Sequence, residues 1–143
     1  MSHSITSQPP AAPATRRRAL TVTLWALQAL LAIQFAGAGS LKLGGAQQMV
    51  DLFTQIGAGQ WLRYLVGALE LAGAIGLLLP RLSGLAALGL VGLLVGATAT
   101  NLLVIDQGPW LPLGLLPVSV LVAWARWPQT KTLASTRRRR PSP

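Results

Sequence analysis

The chain contains no cysteine, one histidine and three acidic residues in a length of 143. Without cysteine there can be no disulfide, thiol redox centre, thiolate metal site or haem attached through Cys-x-x-Cys-His. The one histidine, His3, lies in a polar N-terminal stretch. Imidazole-based metal ligation and histidine general-base catalysis therefore have almost nothing to draw on, and the sequence presents neither a catalytic set nor a metal-ligating set. Charge of either sign is scarce, at 10% of residues, against roughly 25% in soluble globular domains. So little polar surface cannot cover a fold that stands in water.

Apolar residues, by contrast, make up 52% of the chain. They gather in four segments: Ala19 to Leu41 (a span of about 19–43 with its flank), Trp61 to Leu79, Leu82 to Ile105, and Trp110 to Trp127. A membrane-crossing helix needs about 20 apolar residues. Three segments meet that length clearly, and the fourth only just, because it carries Pro112, Pro117 and Arg126. Proline is tolerated in a membrane helix when neighbours satisfy the freed carbonyl, so a kink is predicted near Pro117. The fold class is all-α: a four-helix transmembrane bundle over residues 19–127, with disordered basic tails at 1–18 and 128–143. The segment A-Q-Q-M-V-D-L-F-T-Q-I-G between the first two spans places Met49, Phe53 and Ile56 at helical spacing. That pattern predicts a short amphipathic helix on the outer surface.

The formal net charge of +9 does not indicate nucleic-acid binding, because the cations flank apolar runs and are not interleaved with stacking aromatics. It indicates orientation. Lys and Arg collect on the cytoplasmic side of membrane proteins. With the N-terminus inside, that side receives Arg16, Arg17, Arg18, Arg81, Arg126, Lys131 and Arg137 to Arg140, and no acid. Lys42, Asp51, Arg63, Glu70 and Asp106 fall in the outer half or the membrane. Both termini are then cytoplasmic. Trp61 and Trp110 reach the outer interface and Trp124 and Trp127 the inner one, as an aromatic belt requires. A cleaved signal peptide over the first segment is disfavoured, because its apolar run exceeds the usual ~7–15-residue signal core.

Small residues let membrane helices approach closely. Gly39, Gly67, Gly73, Gly92 and Gly96 are the candidate packing positions, the last two within a G-x-x-x-G pair. The stretch G-A-L-E-L-A-G raises a different question. A charge at mid-bilayer costs at least ~2.5–3.5 kcal/mol on insertion scales, and Glu70 lies roughly 13 Å below the level of Trp61 at about 1.5 Å per residue. Arg63, Gly67, Glu70, Gly73 and Ala74 share one helical face, while Gln28, Phe35, Gly39 and Lys42 share another on the first span. Asn101, with Thr98 and Thr100, falls in the outer half of the third. Glu70, Lys42, Arg63 and Asn101 thus define a polar intramembrane site. It is either a structural ion pair of Glu70 with Lys42 or Arg63, or a pocket for a proton, a quinone head group or another small polar ligand.

Two passages, F-A-G-A-G-S-L-K-L-G-G at 35–45 and W-L-R-Y-L-V-G-A-L-E-L-A-G-A-I-G-L-L-L-P at 61–80, resemble the DoxX-like family of small membrane proteins. Phe35, Gly39, Lys42 and Leu43 fit its first-helix signature, and Gly67 with Glu70 supplies its distinctive Gly-x-x-Glu. One departure is A-G-Q at 58–60, where a proline is expected before the tryptophan. The resemblance implies a four-helix integral protein of the bacterial inner membrane, in a family some of whose members are linked to quinone-coupled oxidoreductases. Lacking cysteine, this chain would take a redox role through quinone binding or support of a membrane partner. A proton-coupled carrier using Glu70 and a membrane scaffold or assembly factor are the competing expectations. Nothing in the sequence fixes an oligomeric state.

Overall fold

The computed structural model of the chain describes residues 14–105 and 108–136. Its elements are five helices: α1 (Ala14–Leu43), α2 (Gln47–Ile56), α3 (Gln60–Leu78), α4 (Ser83–Leu103) and α5 (Trp110–Thr136). Four are long and apolar enough to cross a bilayer, over Arg18–Leu43, Gln60–Leu78, Ser83–Leu103 and Trp110–Pro128. Hydrocarbon offers backbone N–H and C=O groups no partner, so a crossing segment must satisfy them internally, and a helix does so. The bundle carries its apolar residues outside as well as inside. Leu103 is 83% exposed and Ile33 72%, an arrangement that lipid accepts and water would penalise. The protein is a multi-pass membrane protein with the all-α, four-span architecture read from the sequence.

The first and last helices extend beyond the spans that cross the bilayer. α1 begins at Ala14, inside the stretch assigned to the N-terminal tail, and α5 continues past Trp127 to Thr136. Hydropathy locates the edge of the hydrocarbon, whereas Arg, Ala, Lys and Leu all propagate a helix beyond it. The rest of the two tails, and Asp106, lie outside the described residues. Pro117 and Pro128 both sit within α5, which runs on through them.

Helix α1 packs along α3, α3 along α4 and α4 along α5, while α1 and α5 meet more sparsely. The shared core contains Leu31, Phe35, Leu77, Leu90, Leu94 and Val122. Glycine sets two of the crossings. A Cβ on Gly39 would lie 2.8 Å from the Gly67 carbonyl oxygen and one on Gly67 3.0 Å from Lys42 Cβ, so α1 and α3 are in backbone contact there. A Cβ on Gly73 would meet Leu90 at 2.6 Å, which seats α4 against α3. Gly92 and Gly96 do not share this role. A Cβ on either would meet nothing within 4 Å, so neither sets a close helix crossing. Their assignment to helix packing is corrected accordingly.

The amphipathic segment is helical, and Gly57 ends it in the left-handed conformation (φ 77°), its N–H donating to Thr54 O. Its apolar face turns inward: Phe53 is only 4% exposed. Gln60 Nε2 donates to Val50 O and Thr54 Oγ1, both at 3.1 Å, and so ties α2 to the start of α3. α2 therefore packs against the bundle as well as lying at its surface. At the other end of the hairpin, Ser83 Oγ donates to Pro80 O at 3.1 Å and secures the α3–α4 turn.

Candidate functional site

Close approach at Gly39 and Gly67 brings the end of α1 alongside the middle of α3, and Lys42 and Glu70 meet there. Lys42 Nζ lies 2.9 Å from both Glu70 Oε1 and Oε2. The two side chains are 13% and 10% exposed. In an apolar surround such a pair is kept together strongly, since neither charge finds a replacement partner. Among the described residues, each of these two charged groups has the other as its only hydrogen-bonding side-chain partner.

Arg63 is buried in the same region but does not touch Glu70. Its Nη1 donates to the Lys42 carbonyl and its Nε to Gln60 Oε1 at 2.7 Å, and its guanidinium lies 4.2 Å from the centre of the Tyr64 ring. A cation on a last-turn carbonyl offsets the negative end of the helix dipole. Arg63 thus anchors the backbone that carries Lys42, and Gln60 extends the connection to α2.

The ion pair faces a cavity of about 690 Å³, within the range of roughly 300–1,000 Å³ typical of small-molecule sites. Phe35 and Leu41 of α1, Met49 and Phe53 of α2 and Val66 of α3 form part of its wall. Leu93, Gly96 and Asn101 of α4 and Leu115 of α5 form another part. The wall is mainly apolar, with its strongest polar groups in Gln34, Lys42, Glu70 and Asn101. Thr100 contributes less than its hydroxyl suggests, because this donates to the Gly96 carbonyl of its own helix at 2.9 Å, and Thr98, outside the wall, likewise donates to the Leu94 carbonyl at 2.7 Å. Three of the four sequence-predicted site residues therefore line one cavity, and Arg63 supports it from behind. The exposed glycines Gly92 and Gly96 line this cavity as well.

Sequence reasoning left out a second polar cluster in the other half of the bundle. Arg126 Nη2 donates to Gln28 Oε1 at 2.7 Å, and Gln28 Nε2 donates to the Leu77 carbonyl at 3.1 Å. Gln28 is fully buried and Arg126 is 6% exposed, with Trp25 5.5 Å from the guanidinium. Three helices are joined through one amide. The available signal was a glutamine inside the first apolar run and an arginine inside the last. Neither periodicity nor charge counting pairs residues so far apart in the chain.

The site can present an ammonium N–H, carboxylate lone pairs and an amide to a ligand that is otherwise apolar. Among the described residues, no three His, Cys, Asp or Glu side chains gather to hold a metal ion. No curated protein matches the chain, and no solved structure does. The model of the DoxX-like family matches residues 26–126. That stretch takes in both halves of the ion pair, the Gly39–Gly67 crossing, the helix over the cavity and the Gln28–Arg126 tie, and the chain belongs to the DoxX-like family.

Proposed function

We propose that this protein is a quinone-associated accessory subunit of a membrane redox system, and that it holds the quinone in the cavity beside Lys42 and Glu70. The observation that carries this reading is a bidentate ion pair at the wall of an apolar cavity of about 690 Å³. Charge inside a membrane is costly and usually marks a ligand or ion pathway. A quinone carbonyl accepts hydrogen bonds, which the Lys42 ammonium and the Asn101 amide can donate, while the ring rests on Phe35, Leu93 and Leu115. The chain supplies a place to bind; the electron transfer belongs to the quinone and a partner protein. We place the protein in the inner membrane with both termini cytoplasmic, on the distribution of Lys and Arg.

The test is a thermal melt of the purified protein in lipid nanodiscs with and without a benzoquinone. Saturable stabilisation of the wild type, lost in Asn101→Leu and in the Lys42→Met/Glu70→Gln double variant, is expected. A quinone-independent melting temperature, together with no redox protein in affinity capture from native membranes, would refute the reading. A periplasm-active reporter fused after Pro143 should be silent; activity there would overturn the orientation.

A further inference from the structure

The polar groups in the cavity wall differ in what they offer a ligand. The Lys42 ammonium only donates hydrogen bonds, and the Glu70 carboxylate that faces it only accepts them. The Gln34 and Asn101 amides, which also line the cavity, each carry both donors and an acceptor. Among the described residues, neither amide side chain has a protein partner. Each amide can therefore turn its NH2 to an oxygen that accepts, or its carbonyl to a hydroxyl that donates. The amides favour a polar ring oxygen without regard to its redox state.

The ion pair does not share that indifference. Lys42 Nζ lies 2.9 Å from both Glu70 oxygens. Its three N–H bonds diverge, so at least one points away from the carboxylate and is open to a ligand. A ligand oxygen that accepts it comes within about 5 Å of the carboxylate oxygens, by ordinary hydrogen-bond lengths and tetrahedral angles. The two side chains are only 13% and 10% exposed, so water screens little of what the carboxylate does to that oxygen. A quinone carbonyl has no hydrogen and turns a partial negative charge towards Glu70. A quinol hydroxyl accepts from Lys42 and turns its own hydrogen to Glu70. A hydrogen bond to an ionised acceptor is roughly twice as strong as one between neutral groups.

We infer that the site distinguishes the two redox forms of its ligand and holds the quinol more tightly than the quinone. One hydroxyl sits on the Lys42–Glu70 pair, accepting from the first and donating to the second, and the other meets an amide of the wall. This rests on the reading of the cavity as a quinone site and names the form of ligand that the site prefers. Tighter binding of the reduced form raises the potential of the bound couple. The bound quinone is then a better electron acceptor than the same quinone free in lipid, which suits a partner that delivers electrons to it.

The experiment compares a decyl benzoquinone, its quinol and the dimethyl ether of that quinol, which accepts hydrogen bonds but donates none. Each is titrated anaerobically into full-length protein in phosphatidylcholine nanodiscs, with protein-free nanodiscs as the blank. The quinol should bind at least about tenfold more tightly than the quinone, a difference of roughly 1.4 kcal/mol. The ether should bind no more tightly than the quinone. Voltammetry should show the midpoint potential of the bound couple raised by about 30 mV for each tenfold of preference, as for any two-electron couple. Glu70→Gln, which keeps the Lys42 donor, should narrow the preference to within about threefold, or under 1 kcal/mol. Where that variant fails to fold, the ether in the wild type decides alone. Uptake of neither redox form above the blank refutes the quinone reading and this inference with it. Quinone bound as tightly as quinol, or more so, leaves the quinone reading intact and overturns the preference. An ether that matches the quinol, or a preference unchanged in Glu70→Gln, overturns the assignment to the carboxylate.

Discussion

Replacing Lys42 by Met removes both hydrogen bonds that reach the Glu70 carboxylate, and replacing Glu70 by Gln removes the charge that faces Lys42. At 2.9 Å two unit charges attract by about 6 kcal/mol at an effective dielectric of about 20. Desolvation offsets much of this in the intact protein, so the pair's net contribution is far smaller. The offset is lost when one partner goes and the other stays buried. Breaking one side of a buried pair costs about 3–5 kcal/mol, and each single variant is expected near the lower end because the side chains retain some exposure. The double variant Lys42→Met/Glu70→Gln has no uncompensated charge. It should be destabilised by less than either single variant, by about 1 kcal/mol, the scale of a lost interhelical hydrogen bond in a membrane. Steric trapping or reversible denaturant unfolding in bicelles measures all four free energies. Additive effects, with the double variant as weak as the two losses summed, would refute the claim that these residues act on one another.

Three further outcomes follow from the packing and the polar ties. Gly39→Leu should destabilise the fold by several kcal/mol, because even a Cβ there meets Gly67 O at 2.8 Å, whereas Gly96→Ala should be neutral or stabilising by up to about 1 kcal/mol through helix propensity; thermal melts distinguish them, and equal losses would contradict the packing assignment. Gln28→Leu should cost about 1–3 kcal/mol by removing an acceptor from buried Arg126, and Gln28→Glu, which restores an acceptor, should lose less; unfolding free energies of the pair check this. Phe53→Ala should speed hydrogen exchange over Gln47–Ile56 while leaving α4 protected, since Phe53 is the buried residue of α2; unchanged exchange in α2 would show that its hydrogen bonds to Gln60 suffice to hold it.

The four spans were legible because the hydrocarbon thickness demands long apolar runs, and this chain has four and few charges. Gly-x-x-Glu at Gly67 and Glu70 was legible for the same reason: an acid among Leu, Ala and Gly stands out. The partner was harder. Lys42 and Arg63 both lay within reach in one dimension, and only the backbone contact at Gly39 and Gly67 decides that Lys42 meets Glu70 while Arg63 turns back to the Lys42 carbonyl. Gly92 and Gly96 misled for a related reason. A glycine that permits helix contact and a glycine that leaves space have the same sequence signature, and the neighbour that distinguishes them comes from another part of the chain. The first and last helices run beyond their spans, where hydropathy stops but backbone hydrogen bonding does not.

The central claim is that the cavity beside Lys42 and Glu70 holds a lipid-borne quinone, and photolabelling tests it most directly. A quinone with a photoreactive group on its ring, irradiated with the wild-type protein in nanodiscs and mapped by peptide mass spectrometry, should label α2 around Met49–Phe53 and α4 around Leu93–Asn101. Excess unlabelled quinone should abolish that labelling, and the Lys42→Met/Glu70→Gln double variant should greatly reduce it. Labelling confined to outward residues such as Leu20, Leu103 and Trp124, or labelling that excess quinone does not displace, would contradict the account.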